Sequence, residues 1–494
     1  MLSKSQFIRG RQCHKSLWLH RHRPELRDET TDAQEAIFAS GTDVGQLAQQ
    51  LFPGGIEFAY DDGTLSEQLK RTAEAIVSGV TTLYEATFEY GGVLVKTDIL
   101  HRGANGWELY EVKSSTKLKE VYLDDIAVQL YVLRGCGLTV AQASLIHINT
   151  EYVRQGEIDV QSLFTRLDVT TEAEARQTDV VAAIAEQMQL LAGPEPVIDI
   201  GPHCDDPYTC DFSGHCWAHI PSPSVFDLRD HGKPDAFALY RQGIVRLEDV
   251  PADQLGWRQK LQVAGTLRQE NRIDTGAIRD FLGELTYPIS YLDFESTYMV
   301  PVPLYDRSHP YQQIVFQYSL HIQDVPDGPV RHHAFLAEAD QSDPRPAFIA
   351  TLLQHLPESG SIVAFNQVFE IGRLNELIAD FPELAAGLAA LPERFVDLMA
   401  PFRRKEIYLW PLHGSYSIKS VLPALVPELS YATLAIGNGS DAAQGWLELL
   451  AGTDSAAAAR LRQDMLDYCH LDTWGMVRIV DKLREMTNHV AADG

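Results

Sequence analysis

Residues 31–50 carry apolar positions at helical spacing, and Pro53-Gly54-Gly55 then breaks the pattern. Short strand-like runs follow at 82–88, 92–100 and 107–113, the last two separated by a turn-forming stretch, 101–106, suited to a hairpin. A helix is predicted over 123–134 and another strand over 143–148. A cysteine-rich segment at 201–219 closes this region, and Pro221-Ser222-Pro223-Ser224 reads as a linker. Residues 225–283 read as short helices in a connecting module without evident chemistry. An apolar strand at 289–295 opens the last region, followed by strands near 312–321 and 361–365 and then helices to the C-terminus. The pattern therefore predicts an α/β protein in three parts: 1–222, a helical connector at 223–284, and 285–494.

Composition narrows the class. A chain of 494 residues exceeds one ordinary core, and 45% hydrophobic with 22% charged residues is typical of a globular protein. No run of about 18 apolar residues is present, so no membrane span is expected. The opening Met1-Leu2-Ser3-Lys4 lacks the apolar core of a signal peptide, which predicts a cytoplasmic location. In that compartment six cysteines are better read as metal ligands or core residues than as disulfides. A formal charge of −27 argues against nucleic-acid binding by bulk electrostatics. It leaves room for a nuclease, because bound metal ions supply local positive charge and basic residues can gather in one groove. Two basic segments, from Arg9 to Arg27 and at Arg403-Arg404-Lys405, could serve so, or could equally be solvated faces.

The strongest chemical signal is Tyr291-Leu292-Asp293-Phe294-Glu295. Asp293 and Glu295 at i and i+2 of a strand share one face, and burying two like charges is costly unless they hold cations. Carboxylates that hold two divalent ions about 3.5–4 Å apart can activate a water and stabilise the leaving oxygen in phosphodiester hydrolysis. Downstream, the strand at 361–365 runs into a predicted helix with Asn366 at the junction and Glu370 four residues on. Near the C-terminus Tyr468 and Asp472 stand at i and i+4, on one helical face, which suits a metal-binding Asp472 beside a Tyr468 that orients the attacking water.

These three motifs, in this order, resemble the DnaQ-like 3'-5' exonucleases of RNase H-like fold, in the variant with a catalytic tyrosine. The resemblance implies metal-binding Asp293 and Glu295 in the first motif, Asn366 to Glu370 as the second, and Tyr468 with Asp472 as the third. Asp397 matches an acidic position between the last two and receives a supporting role. The second motif usually ends in Asp, where this chain has Glu370. His470 lies off the spacing of the family's histidine variant and is read as structural.

The N-terminal region holds a second constellation. Asp98 precedes Glu111 by thirteen residues, and Glu111-Val112-Lys113 places carboxylate and ammonium on one strand face. Such carboxylates can bind Mg²⁺ or Mn²⁺ while the lysine orients the nucleophile or stabilises phosphate charge. A surface salt-bridge stripe is the plain alternative. Cys204, Cys210 and Cys216 follow at Cys-x5-Cys-x5-Cys, and Cys13 lies far upstream. One early and three late cysteines around Asp…Glu-x-Lys resemble the RecB-like PD-(D/E)xK nucleases with an iron–sulfur cluster, including CRISPR-associated and AddB-like members. That resemblance implies a restriction-endonuclease-like domain with a 4Fe–4S cluster on the four thiolates; a structural zinc ion is the rival. His203 and His215 flank the ligands, while Cys136 and Cys469 fall outside the pattern and are read as core residues. Glu85 is a candidate upstream acidic residue and Gln129 matches the family's helix glutamine; the tyrosine usual four residues later is here Leu133, with Tyr131 on another face.

Taken whole, the chain resembles a bacterial family fusing a RecB-like iron–sulfur nuclease to a DnaQ-like exonuclease. The expected activity is metal-dependent hydrolysis of single-stranded DNA ends in repair, recombination or defence. An RNA-processing exonuclease, and a nucleic-acid-binding scaffold with one or both centres decayed, remain the alternatives.

Overall fold

The computed structural model describes residues 1–30, 32–58, 63–229 and 235–488. It is a mixed α/β structure in two compact units, one of residues 1–219 with 300–311, the other of 220–299 with 312–494. Residues 223–284, read above as a connector, lie within the second unit. Among the described residues no helix is long and apolar enough to cross a membrane.

The first unit is built on one sheet. Its strands are β1 (Leu2–Ser3), β2 (Ile56–Glu57), β3 (Thr82–Tyr90), β4 (Val93–Gly103), β5 (Gly106–Lys113), β6 (Val140–Ile148) and β7 (Phe164–Asp168). They lie in the order β2-β3-β4-β5-β6-β7, with β1 beside β4. The hairpin expected between β4 and β5 is present, antiparallel, closing at Gly103 and Gly106. Gly106 turns there with φ +145°, and a Cβ would lie 2.6 Å from the Thr139 carbonyl oxygen. The parallel pair β5–β6 requires a crossover, which the helix Glu120–Gly135 provides.

Alternation along the strands assigns the two faces. Leu100, Leu109 and Leu145 pack with Leu123, Ile126 and Leu130 of that helix, whereas Ile99, Tyr110, Val112 and Ile146 fill the opposite layer with Val44 and Phe164. Asp98 has the parity of Leu100, and Glu111 and Lys113 that of Leu109. All three therefore emerge on the helix-covered face.

In the second unit, β8 (Arg272–Ile273) pairs with β14 (Ile407–Tyr408), and the main sheet contains β9 (Ile289–Ser296), β10 (Val315–Gln323), β11 (Val330–Leu336), β12 (Ile362–Ala364) and β13 (Phe395–Asp397). Its order is β11-β10-β9-β12-β13. The first three strands run antiparallel, and β12 and β13 then add parallel to β9. Leu292 and Phe294 face a layer that includes Phe348, Leu374 and Leu377. Tyr291 faces the other layer, with Met465, Tyr468, Met476 and Val480 of the helix Ser455–Asn488. Asp293 and Glu295 share the parity of Tyr291, so the pleat aims them at that helix.

Candidate functional site

Four carboxylates from three elements meet in the second unit. β9 contributes Asp293 and Glu295, the helix Val368–Asp380 contributes Glu370 from its first turn, and the C-terminal helix contributes Asp472. Glu295, Glu370 and Asp472 are buried and Asp293 is half-buried. Burial, together with Asp472, Glu295 and Glu370, pushes the Asp293 carboxyl far above its ordinary range; burial and Asp472 do the same to Glu295. Burial pushes Glu370 up to about 8 and Asp472 up to about 6. Glu370 Oε2 is buried without a hydrogen-bond partner among the described residues. Burying several mutually repelling carboxylates is unfavourable for the protein alone and would be relieved by divalent cations.

Tyr468 is buried beside this cluster and hydrogen-bonds Asp472, as the i, i+4 spacing predicts. A second phenol, unforeseen in the sequence, donates to Asp472: Tyr431 Oη lies 2.5 Å from Oδ1. Burial and Asp472 hold both phenols protonated, so each remains a donor. Lys419, half-buried on the helix Ile418–Leu425, stands 5.4 Å from the centre of the Tyr468 ring. Burial lowers its basicity, against the pull of Asp472 and Glu295. Neither Tyr431 nor Lys419 belongs to a motif that sequence spacing could expose.

Asp397 acts on the backbone. Its Oδ1 accepts from Asn366 N at 3.1 Å and Met399 N at 3.0 Å, and its Oδ2 from Arg403 Nη2 at 3.0 Å. Asn366, at φ +77°, sits in the left-handed region at the strand-to-helix junction. Asp397 thus fixes the turn that launches the helix bearing Glu370. Cys469 was expected to be core. It is buried, but its Sγ lies 3.6 Å from Asp293 Oδ2, at the edge of the carboxylate cluster.

The first unit assembles a different cluster. Asp98 Oδ2 accepts from Val112 N at 2.7 Å, and Glu85, at φ +55° on β3, adds a carboxylate that acts electrostatically on Asp98. Gln129 donates to Glu111 Oε2 at 2.6 Å. Lys113 reaches Glu111 at 2.5 Å and Asp125 at 2.7 Å. Asp125, one helical turn before Gln129, and Lys4 were not anticipated. Lys4 Nζ lies 2.9 Å and 3.0 Å from the two Glu111 oxygens and 3.2 Å from Asp125 Oδ1. Burial, with Asp125 and Asp98, pushes Glu111 up to about 7. Burial raises Asp125 too, but Lys113 and Lys4 outweigh it and hold the carboxyl below its ordinary value. Tyr131 packs against Tyr90, and Leu133 lies in the core.

Cys13, Cys204, Cys210 and Cys216 line one cavity. Cys13 sits at the joint between the helices Lys4–Gln12 and His14–His22, where the backbone N–H groups of Ser16 and Lys15 approach its thiol. Gln12 Nε2 ties down the Cys204–Cys210 loop by donating to the His203 carbonyl at 2.8 Å and the Tyr208 carbonyl at 2.6 Å. Among the described residues no three of the four sulfurs lie within 4.8 Å of one another. His203 also lines the cavity, whereas His215 is exposed. Cys136, expected in the core, is exposed: it caps the end of the helix Glu120–Gly135, beyond the last apolar turn.

The basic segments are engaged within their units. Asp211 receives Arg9, through Nη2 at 3.0 Å, and Arg27, at 2.5 Å. Lys405, far from being a solvated charge, is buried and donates to the Gly414 carbonyl at 3.0 Å.

A family model described as a domain of unknown function (DUF2779) matches residues 290–417. That span contains Asp293, Glu295, Glu370 and Asp397 and ends before Tyr468 and Asp472. No curated protein matches the chain.

Proposed function

We propose that the chain is a metal-dependent nuclease, with the second unit acting as an exonuclease on single-stranded DNA ends. The observation that carries this reading is the electrostatic coupling of Asp293, Glu295, Glu370 and Asp472, each pushed up by burial, with Glu370 Oε2 left without a hydrogen-bond partner among the described residues. The sheet order, three antiparallel strands followed by two parallel ones, agrees with an RNase H-like fold. Held by these carboxylates, Mg²⁺ or Mn²⁺ would supply an activated water and charge stabilisation at the leaving oxygen. Tyr468 and Tyr431 keep Asp472 oriented by donating to it, and Lys419 provides a cation for developing phosphate charge.

The four-thiol cavity is the place proposed for a 4Fe–4S cluster, with a structural zinc ion as the rival, since four thiolates can hold either. A cluster there would pin Cys13, near the start of the first unit, to the segment at 204–216. A role in repair, recombination or defence follows from the family resemblance alone.

For the first unit one observation favours a second reading. Lys4 and Lys113 already neutralise Glu111 and Asp125, so this cluster can serve as an ion-paired scaffold for nucleic acid without turning over.

The test is digestion of end-labelled single-stranded DNA and RNA with Mg²⁺ or Mn²⁺, using anaerobically prepared protein. Intact chain, Asp293→Ala and Lys113→Ala are compared. The proposal expects Asp293→Ala to abolish stepwise degradation of DNA, and any activity lost only in Lys113→Ala belongs to the first unit. Preference for RNA would move the function to RNA processing. Degradation of neither substrate by the intact chain overturns the nuclease reading.

A further inference from the structure

On the second unit's sheet, His321 of β10 and His332 of β11 are register partners, directly opposite across the antiparallel pair. Cross-strand partners hold their Cβ atoms about 4.5–5.5 Å apart, so the two rings are brought together by the ladder itself. His470 of the C-terminal helix completes a triangle: ring centroids lie 4.4 Å apart for His321–His332, 4.8 Å for His321–His470 and 4.6 Å for His332–His470. One ring nitrogen of each comes within 4.8 Å of the other two.

The surroundings hold two of the rings in place. His321 Nδ1 pairs with Thr473 Oγ1 at 2.8 Å, and His332 Nε2 with Ser319 Oγ at 3.0 Å. The two hydroxyls are themselves bonded at 2.7 Å. A histidine ligand characteristically engages its second nitrogen in such a bond, which fixes the tautomer and ring orientation. His321 is buried, His470 half-buried and His332 exposed, so one side of the triangle opens to solvent.

We infer that His321, His332 and His470 form a binding site for one divalent transition ion of the zinc class, with its fourth position left to water. Three neutral imidazoles suit such ions and not Mg²⁺ or Ca²⁺, which require oxygen ligands. With Zn–N near 2.0–2.1 Å, tetrahedral nitrogens stand about 3.3 Å apart, so nitrogens that lie within 4.8 Å of one another close by up to about 1.5 Å as the rings turn toward the ion. The ion would tie the β10–β11 hairpin to the helix that carries Tyr468 and Asp472. The inference stands whether or not the neighbouring carboxylates are catalytic.

Cobalt(II) titration of the full chain tests it, with excess Mg²⁺ present to occupy the carboxylates. The intact chain is expected to develop the intense d–d absorption of a four-coordinate, nitrogen-ligated ion. Any thiolate-to-cobalt charge transfer from the four cysteines is a separate signal. His332→Ala, at an exposed position, should lose the nitrogen-ligated signal and leave the thiolate one unchanged. Thr473→Val, which keeps the His321 ring but removes its hydrogen bond, should weaken cobalt about 10–100-fold. Circular dichroism and metal-free melting of both variants control for folding, and His470→Gln replaces either one that fails. Cobalt titrations identical in the intact chain and in a folded ligand variant would overturn the site.

Discussion

Replacing Glu370 by Gln should make the metal-free protein more stable at alkaline pH while removing its response to metal. Burial raises the Glu370 carboxyl from an ordinary 4.5 to about 8. The folded value is the higher, so between these limits the folded protein keeps a proton that the unfolded chain has released. The resulting stability is whole below about 4.5 and is lost as pH rises through about 8. At about 1.4 kcal/mol per pH unit, the gap amounts to roughly 5 kcal/mol, and relaxation of the metal-free site reduces this to about 3–5 kcal/mol. Gln cannot lose a proton, so Glu370→Gln should match the intact chain near pH 4.5 and exceed it increasingly up to pH 8.5. Mn²⁺ reverses the order, because it stabilises the folded state by binding the carboxylates that the variant has depleted. Calorimetric melting of both proteins from pH 5 to 8.5, without and with Mn²⁺, checks this; Asp293 and Glu295 lose the repulsion of Glu370 in the variant, so the difference reads the carboxylate cluster as a unit. A metal-free intact chain whose melting temperature does not fall relative to the variant as pH rises would refute the reasoning. So would an equal Mn²⁺ response.

Three further outcomes follow from the geometry. Tyr431→Phe removes a 2.5 Å donor from Asp472 and should lower kcat on single-stranded DNA by about 10–100-fold, since a hydrogen bond to a charged group contributes roughly 1.5–3 kcal/mol; steady-state kinetics with unchanged KM would agree. Lys4→Met strips Glu111 and Asp125 of a cation at 2.9–3.2 Å, and should destabilise the metal-free protein by about 3–5 kcal/mol. Mg²⁺ should restore most of that loss, as melting with and without the ion will show. Asp397→Asn weakens the clamp on Asn366 and Met399 and should reduce activity less than Asp293→Asn does, a ranking that parallel digestion assays can establish.

Much of the fold was legible because its pattern is local. The strands at 82–88, 92–100, 107–113 and 289–295 appear within a few residues of their predicted limits, since alternation and flanking turns mark them without reference to the rest of the chain. β11 and β13 were not anticipated. β11 has no deeply buried residue, so its Val330–Leu336 sequence mixes Arg and His with apolar residues and shows little contrast between faces. β13 is three residues long and exists because parallel pairing to β12 extends the sheet. Segment 300–311, which belongs with the first unit although 285–299 and 312–494 belong with the second, carries no local sign of that excursion. Arg154 secures it through carbonyl contacts with Pro303 at 3.0 Å and Leu304 at 2.6 Å, partners some 150 residues away.

The same distinction explains which site residues could be read. Asp293 with Glu295, Glu111 with Lys113, and Tyr468 with Asp472 are close pairs whose spacing matches the period of their element, so one segment reveals them. Lys4, Asp125, Lys419 and Tyr431 enter their clusters only through tertiary packing. Lys4 follows a serine that caps the first helix, and its surroundings in sequence, Ser3 and Ser5, suggest only a helix start. Yet its ammonium sits against the carboxylates from which a metal ion in the first unit would have to be held. Lys4 and Lys113 form ion pairs with Glu111 and Asp125, two of the first cluster's four carboxylates, whereas Lys419 and Arg373 act on the cluster of Asp293, Glu295, Glu370 and Asp472 without an ion pair to it among the described residues. Charge balance, which no motif encodes, therefore ranks the two centres. On the metal-dependent reading proposed above, the lack of ion pairs around Asp293, Glu295, Glu370 and Asp472 makes the second unit the one expected to hold divalent ions more strongly, and a metal entering the first would have to displace Lys4 or share its oxygens with it.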